Sequence, residues 1–273
     1  MADPDSVRVL VVGDIVGKPG RRAFRQSIGG LRKRYAADLV IANCENAAAG
    51  AGITPDICEE LFAAGADVLT TGNHIWRHRE IYDYLATTPR LLRPANFHAE
   101  APGHGNVVVE AGGVSVGVIN LMGRVFMAPL ACPFARFDDL YRQMRADTGI
   151  MVVDFHAEAT AEKVGFGRYV DGRASLVVGT HTHVQTADAE VLPGGAGYIT
   201  DVGMTGPHGG VIGVQSEQVL EKLITQMPVR FQVAEGDVRL CALFAELAVE
   251  SGRCRRVERI CLPAEEKTTG AAE

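Results

Sequence analysis

Three things are scarce in this chain of 273 residues, and each scarcity excludes a class of protein. Long apolar runs are missing: the stretches around Val9–Val12 and Ser175–Val178 are strand-sized, well short of the roughly 18 residues that cross a bilayer. Paired cysteine motifs are missing too. The six cysteines (Cys44, Cys58, Cys132, Cys241, Cys254 and Cys261) contain no CxxC, so reduced, buried thiols are expected rather than a disulfide framework. Excess positive charge is the third: Lys and Arg number 27 against 33 Asp and Glu, a net charge of -6, which argues against a surface that coats nucleic acid. No basic segment followed by an apolar one opens the sequence, so the cytoplasm is the expected compartment. No linker, low-complexity block or periodic repeat divides it. One domain over residues 1–273 is expected, ordered over about 7–262 and ending in a short polar tail.

What is present is a globular balance, 47% hydrophobic and 22% charged, with 31 glycines that point to many tight turns. The first half repeats one rhythm. Apolar runs at Val7–Val12, Leu39–Ala42 and Val68–Thr70 alternate with helical patterns, one opening near Pro19 and one at the cap pair Thr54-Pro55. Continuous apolar strands between helices predict a buried parallel or mixed sheet with covering helices. Residues 106–121 alternate about Gly112-Gly113 and read as a hairpin, and Phe137, Leu140, Tyr141 and Met144 mark a further helix. Strands at 150–155 and 174–179 follow. Residues 228–233, 238–248 and 255–262 read as a meander.

The chemistry sits at the strand ends. Five apolar runs close on metal-capable side chains: Asp14; Glu45 with Asn46; Asn73 with His74; His156; and His181 with His183. In open α/β sheets, sites form beyond the carboxyl ends of the strands, so the five groups are expected to converge there. Each group alone is weak, since Asp after Gly is an ordinary turn former and a lone His an ordinary loop residue. Imidazole, carboxylate and carboxamide without thiolate suit iron or manganese, with zinc also compatible. With His74 set aside, seven candidates still exceed one tetrahedral shell, and Glu45 can bridge two ions. His181-x-His183 on an extended segment would point both rings to one side, each toward a different ion.

The blocks GDIVGKPGR, NCENAAAG, TTGNHIW, VDFHAEATAEK and VGTHTHVQTAD, in this order, resemble the calcineurin-like metallophosphoesterases, in the form of the bacterial YmdB-type branch. The likeness spans residues 7–262. It implies an α/β sandwich of two mixed β-sheets flanked by helices in four layers (α-β-β-α). It also implies one ion held by Asp14, Glu45, Asn46 and His183, and a second held by Glu45, Asn73, His156 and His181. The usual first-block histidine is absent after Asp14, and Glu45 stands where the wider family has aspartate. Both changes occur in the YmdB-type branch. The implied reaction is hydrolysis of small phosphodiesters, 2′,3′-cyclic nucleotides first, with a water acidified between the ions as nucleophile and His74 protonating the leaving group. A phosphomonoesterase or nucleotidase on the same ions is the alternative, as is a metal-stabilised regulatory or scaffold protein; assembly into homo-oligomers stays open.

Other features compete. Gly13-x-x-x-Gly17-Lys18-Pro19 hints at a phosphate-binding loop, but its spacing is one short and no Ser or Thr follows Lys18. His78 reads as a rim residue. Trp76 reads as core packing, with stacking on a base as the alternative. Arg21 and Arg22 read as a solvated helix face, with phosphate steering as the alternative. Gly203–Gly210 with His208 reads as a flexible loop, bordering the substrate or simply connecting. Asp154 either orients a ligand or caps a strand.

Overall fold

The computed structural model describes residues 5–264, so the polar tail read from the sequence falls outside the described residues. Two six-stranded sheets pack face to face. In the first, β1 (Ser6–Val12) runs parallel to β2 (Leu39–Asn43), and β2 runs parallel to β3 (Val68–Thr70). The second contains the hairpin β4 (Asn106–Ala111) and β5 (Val114–Met122), then β6 (Ile150–His156) and β7 (Leu176–Thr180), both parallel to β5. Short β8 (Glu190–Val191) and β9 (Gly197–Ile199) finish that sheet, and β10 (Gly206–Pro207) joins the first. Long β11 (Val238–Ala248) lies antiparallel to β1 and carries β12 (Cys254–Pro263) on its other edge.

Strand alternation explains the layers. Val7, Val9 and Val11 of β1 face Val116, Val152 and Val178 of the second sheet across a shared apolar layer. Leu10 and Val12 point the other way, onto Phe24, Ile28 and Leu31 of α1 (Gly17–Tyr35) and Leu61 of α2 (Pro55–Ala64). The outer face of the second sheet, with Met151, Val153 and Phe155, is covered by Phe137, Leu140 and Met144 of α4 (Pro133–Met144) and Phe166 of α5 (Thr160–Val170). Both faces of each central strand are therefore dry, which is why the sequence shows continuous apolar runs there. The four-layer sandwich of two mixed sheets follows. Thr54 caps α2 as expected, accepting from the Ile57 N–H at 3.4 Å. Short α3 (Ile81–Thr87) packs beside the 3-10 turn Ile75–Arg77. Among the described residues no helix is long and apolar enough to cross a membrane.

Two readings need correction. Residues 228–233 form no strand. Their alternation pairs with nothing beyond a single bridge between Val214 and Val233, and the segment runs as a strap after α6 (Ser216–Thr225). The 203–210 segment is not a loose loop over its first half. Residues 203–207 are buried, the Met204 and Thr205 N–H groups donate to the His183 and Asp14 carbonyls, and a Cβ on Gly13 would lie 1.8 Å from the Gly203 carbonyl oxygen. It is a floor beneath the ligand loops.

Candidate metal centre

All five strand-end groups meet at one end of the sandwich, where β1, β2 and β3 of one sheet face β6 and β7 of the other. Glu45, fully buried, sits at the middle. Its Oε1 lies 3.2 Å from His156 Nε2, 3.2 Å from Asn46 Nδ2 and 3.4 Å from His74 Nδ1, while Oε2 accepts from the His74 N–H at 3.1 Å. His156 Nε2 is also 3.0 Å from Asn73 Oδ1 and 3.0 Å from His181 Nδ1. On the other side Asn46 Nδ2 is 3.2 Å from His183 Nε2. Asp14 is fully buried, and its Oδ2 accepts from the His181 N–H at 3.1 Å. Its Oδ1 has no hydrogen-bond partner, an open acceptor in a polar cluster. Glycine at position 72 is required here, because a Cβ would lie 2.2 Å from His156 Nε2 and 2.4 Å from Glu45 Oε2.

The histidines are presented in one way. His156 Nδ1 contacts Thr180 Oγ1 at 2.9 Å, and that hydroxyl donates to Asp154 Oδ1 at 2.7 Å. The hydroxyl proton is committed to Asp154, so Nδ1 of His156 is the donor, and Nε2 carries the lone pair when the ring is neutral. His183 Nδ1 faces the Ile212 carbonyl at 2.9 Å, and His181 Nε2 faces Glu158 Oε2 at 3.1 Å. Each ring thus has an acceptor at its outer nitrogen and turns its inner nitrogen into the cluster, the arrangement that prepares a neutral imidazole for a cation. Donor atoms of Glu45, His156 and His181 lie within 4.8 Å of one another. Two donors 3.0–3.2 Å apart fit around one ion at about 2.0–2.2 Å from each.

Electrostatics agree. Burial pushes the His156 imidazole down, but Glu45, Asp14 and Asp154 more than offset this and raise it to about 9. Burial likewise pushes Glu45 up, and His156 and His74 hold it well below the ordinary carboxylate range. A proton on His156 thus stands where a cation is wanted. Burial raises Asp14 to about 6. His181 drops to about 3 through burial and the neighbouring His156 charge, which keeps it neutral and able to donate a lone pair.

The model of the YmdB-like protein family matches residues 10–260. The chain belongs to that family. The 2′,3′-cyclic-nucleotide 2′-phosphodiesterase of Bacillus subtilis (strain 168) is 46% identical over 256 residues, covering 94% of this chain and 97% of that protein. A crystal structure of a novel phosphatase from Mycoplasma pneumoniae superposes with a TM-score of 0.91 at 33% identity, covering 98% of this chain and 96% of that one. A hypothetical protein from Thermus thermophilus gives 0.88 at 42% identity, covering 95% and 100%.

In this YmdB-like chain the sequence reading misplaced the geometry of His181-x-His183. The pair does not lie on an extended strand. β7 stops at Thr180, and both histidines take left-handed backbone, φ 95° and 65°, which sends the rings to different sides of Glu45. Holding that loop is a buried pair not singled out from sequence. Lys163, 1% exposed, places Nζ 2.8 Å from Asp201 Oδ2 and 2.9 Å from Thr182 Oγ1, and Asp201 Oδ2 accepts from the Thr182 N–H at 3.1 Å. Glu158 and Thr180 were also passed over, although both fall within the quoted blocks. Asp154 is resolved: it orients, accepting from Thr70, Thr180 and Asn43. Trp76 packs edge-on against Tyr82 and Phe97 rather than opening to the site. Arg21 is tied to Glu60 and the Ala47 carbonyl, so it does not steer phosphate. His78 lies on the cavity rim, its Nε2 3.1 Å from the Ala51 carbonyl.

Proposed function

We propose that this protein is a dinuclear metal-dependent phosphodiesterase acting on small nucleotides, with 2′,3′-cyclic nucleotides as the first substrate class. The observation that carries the reading is the set of three histidines, each with its outer nitrogen occupied and its inner nitrogen turned into one cluster with Glu45 and Asn46. The likeness to the Bacillus subtilis 2′,3′-cyclic-nucleotide 2′-phosphodiesterase supports the substrate class. Asp14, Glu45, Asn46 and His183 would hold one ion, and Glu45, Asn73, His156 and His181 the other, with iron or manganese favoured by the donor set and zinc compatible. Such ions supply Lewis-acid activation of water and neutralise phosphate charge.

The chain's own residues do the rest. His74 is half-exposed on the wall of a cavity of about 850 Å³ that also holds Glu45, Asn46, His181 and His183. Its Nδ1 is fixed 2.7 Å from Asn46 Oδ1. Coordination through that oxygen calls for the Asn46 amide to turn over. Nδ2 then donates to His74 Nδ1, and the ring proton is kept on Nε2, the tautomer that protonates a leaving alkoxide. Val16, Ile212 and Phe231 give the cavity apolar wall for a nucleoside, the mixture typical of small-ligand sites.

Metal analysis of protein purified without chelator, paired with a substrate panel, tests the reading. Two metal equivalents per chain and the highest kcat/KM on 2′,3′-cyclic nucleotides are expected. Preference for nucleoside monophosphates would replace the diesterase with a monoesterase.

A further inference from the structure

Beside the metal centre, along the 229–233 strap, lies a second cavity of about 730 Å³ that the reaction above does not use. Lys18, Arg22 and Arg230 line it together with Phe231 and Gln232, against a single carboxylate, Glu235. Among the described residues these three cations make no side-chain hydrogen bond or ion pair, and Arg22 Nε is buried without a partner. Their neighbours on the same helix behave differently: Arg21 and Arg25 pair with Glu60, and Arg32 pairs with Asp67. Leaving a buried guanidinium nitrogen unpaired is unfavourable, so a cavity that gathers three unpaired cations beside one carboxylate is built for an anion. Ala49, Arg230, Phe231, Gln232 and Val233 line both cavities, so the two spaces adjoin along the strap.

We propose that the Lys18–Arg22–Arg230 cavity binds a second phosphate of the substrate, one lying 5′ to the phosphate that reacts. The ligand is either the 5′-phosphate of a mononucleotide or the next phosphodiester of a short oligoribonucleotide with a cyclised end. Both present the same chemistry, a phosphate one nucleoside away from the metal centre, with Phe231 and Pro19 offering apolar surface beside it. This rests on the phosphodiesterase reading and narrows it from any cyclic nucleotide to those carrying a further phosphate. An acidic chain binds such a ligand through a local cationic pocket rather than a broad basic face.

The test compares three substrates on the holoenzyme: adenosine 2′,3′-cyclic phosphate, its 5′-phosphorylated form, and a dinucleotide ending in a 2′,3′-cyclic phosphate. Charge-assisted contacts predict about a tenfold or larger gain in kcat/KM, mostly in KM, for at least one substrate with a second phosphate. Gain on both points to the 5′-phosphate, and gain on the dinucleotide alone points to an oligonucleotide end. Lys18→Glu, at an exposed position, and Arg22→Gln should abolish the gain while leaving adenosine 2′,3′-cyclic phosphate within about twofold. Equal kcat/KM on all three substrates, or a gain that survives both substitutions, overturns the proposal. If no cyclic phosphate is cleaved, the phosphodiesterase reading has failed, and binding decides the cavity. A fluorescent 5′-phosphorylated dinucleotide with a free 3′-hydroxyl should bind at least tenfold more weakly to the Lys18→Glu protein. Unchanged binding removes the site.

Discussion

The Lys163–Asp201 pair offers the sharpest test of how the metal loop is held. Replacing Lys163 with Met keeps length and apolar bulk but removes the ammonium that contacts Asp201 at 2.8 Å and Thr182 at 2.9 Å. Were the pair exposed, the loss would be within about 1 kcal/mol. Both side chains are buried, at 1% and 0% exposure, so Asp201 is left with an uncompensated charge in a dry site. Breaking such a pair costs about 3–5 kcal/mol, and at roughly 2–4 °C per kcal/mol for a domain of this size Tm should fall by about 6–20 °C. The cost has a second expression. Thr182 lies between two left-handed histidines, and Asp201 pins it through both its N–H and its hydroxyl. With that anchor weakened, His181 and His183 lose their imposed backbone and metal affinity should drop about 10–100-fold, the range for loss of an orienting partner. Urea unfolding of the chelated protein reads the first effect, and titration with Mn²⁺ reads the second. The double variant Lys163→Met/Asp201→Asn leaves no buried charge and should be less destabilised than the two single losses combined. A cost below 1 kcal/mol with unchanged metal affinity, or strict additivity in the double variant, would refute the reasoning.

Three further outcomes follow from the same geometry. His74→Ala should retain metal binding, because its ring stands against Asn46 Oδ1 and supplies none of the proposed ligand atoms, and should lose about 10²–10⁴ in kcat on substrates with a poor leaving group; full activity would remove His74 from proton transfer. Gly72→Ala drives a methyl into His156 and Glu45, so metal affinity measured by titration should collapse, and tight binding in that variant would contradict the packing. In chelated protein His156 is raised to about 9, above its unfolded value near 6.5, so the folded state holds the extra proton; the stabilisation is complete below pH 6.5 and lost as pH rises toward 9. Asp14, raised by burial to about 6, releases its extra proton mainly below that window and lowers stability in the same direction, so it cannot produce a rising midpoint. The urea midpoint should therefore fall from pH 6.5 to 9, and a flat or rising midpoint would show that His156 carries no such proton.

The sequence exposed what is local and hid what acts through space. Strands buried on both faces, the 106–121 hairpin and the Thr54-Pro55 cap are written in consecutive residues, and strand ends with polar donors follow the same logic. Residues 228–233 misled because Val229, Phe231 and Val233 alternate like a strand. Period two ordinarily reports a core side and a solvent side, but here Arg230, Phe231, Gln232 and Val233 alike line cavities, and no strand partners the segment beyond one bridge. His181-x-His183 misled for a related reason, since no local pattern signals left-handed histidines; the loop is held by a buried Lys-Asp pair, each partner 19 residues from Thr182 in sequence. The unpaired state of Lys18 and Arg22 was equally hidden, because Arg21 beside them looks the same in sequence and is neutralised by Glu60.

The last question is why two separate sheets should agree on one site to within a hydrogen-bond length. Apolar packing between them is nondirectional and would tolerate sliding. Directly beneath the donor cluster, however, the interface turns polar. Asn43 of β2 and Thr70 of β3 both donate to Asp154 of β6, which also accepts from Thr180 of β7, all four being buried. Asp154 is pushed up by burial, and the three donors pull against that rise, so displacing any strand would leave a carboxylate unsatisfied in a dry interior. The same aspartate holds Thr180 against His156, while Asn43 Oδ1 accepts from the Glu45 N–H. One buried network thus fixes both the register of the two sheets and the orientation of the residues above it. Such a polar cluster decides where the candidate ligand atoms stand.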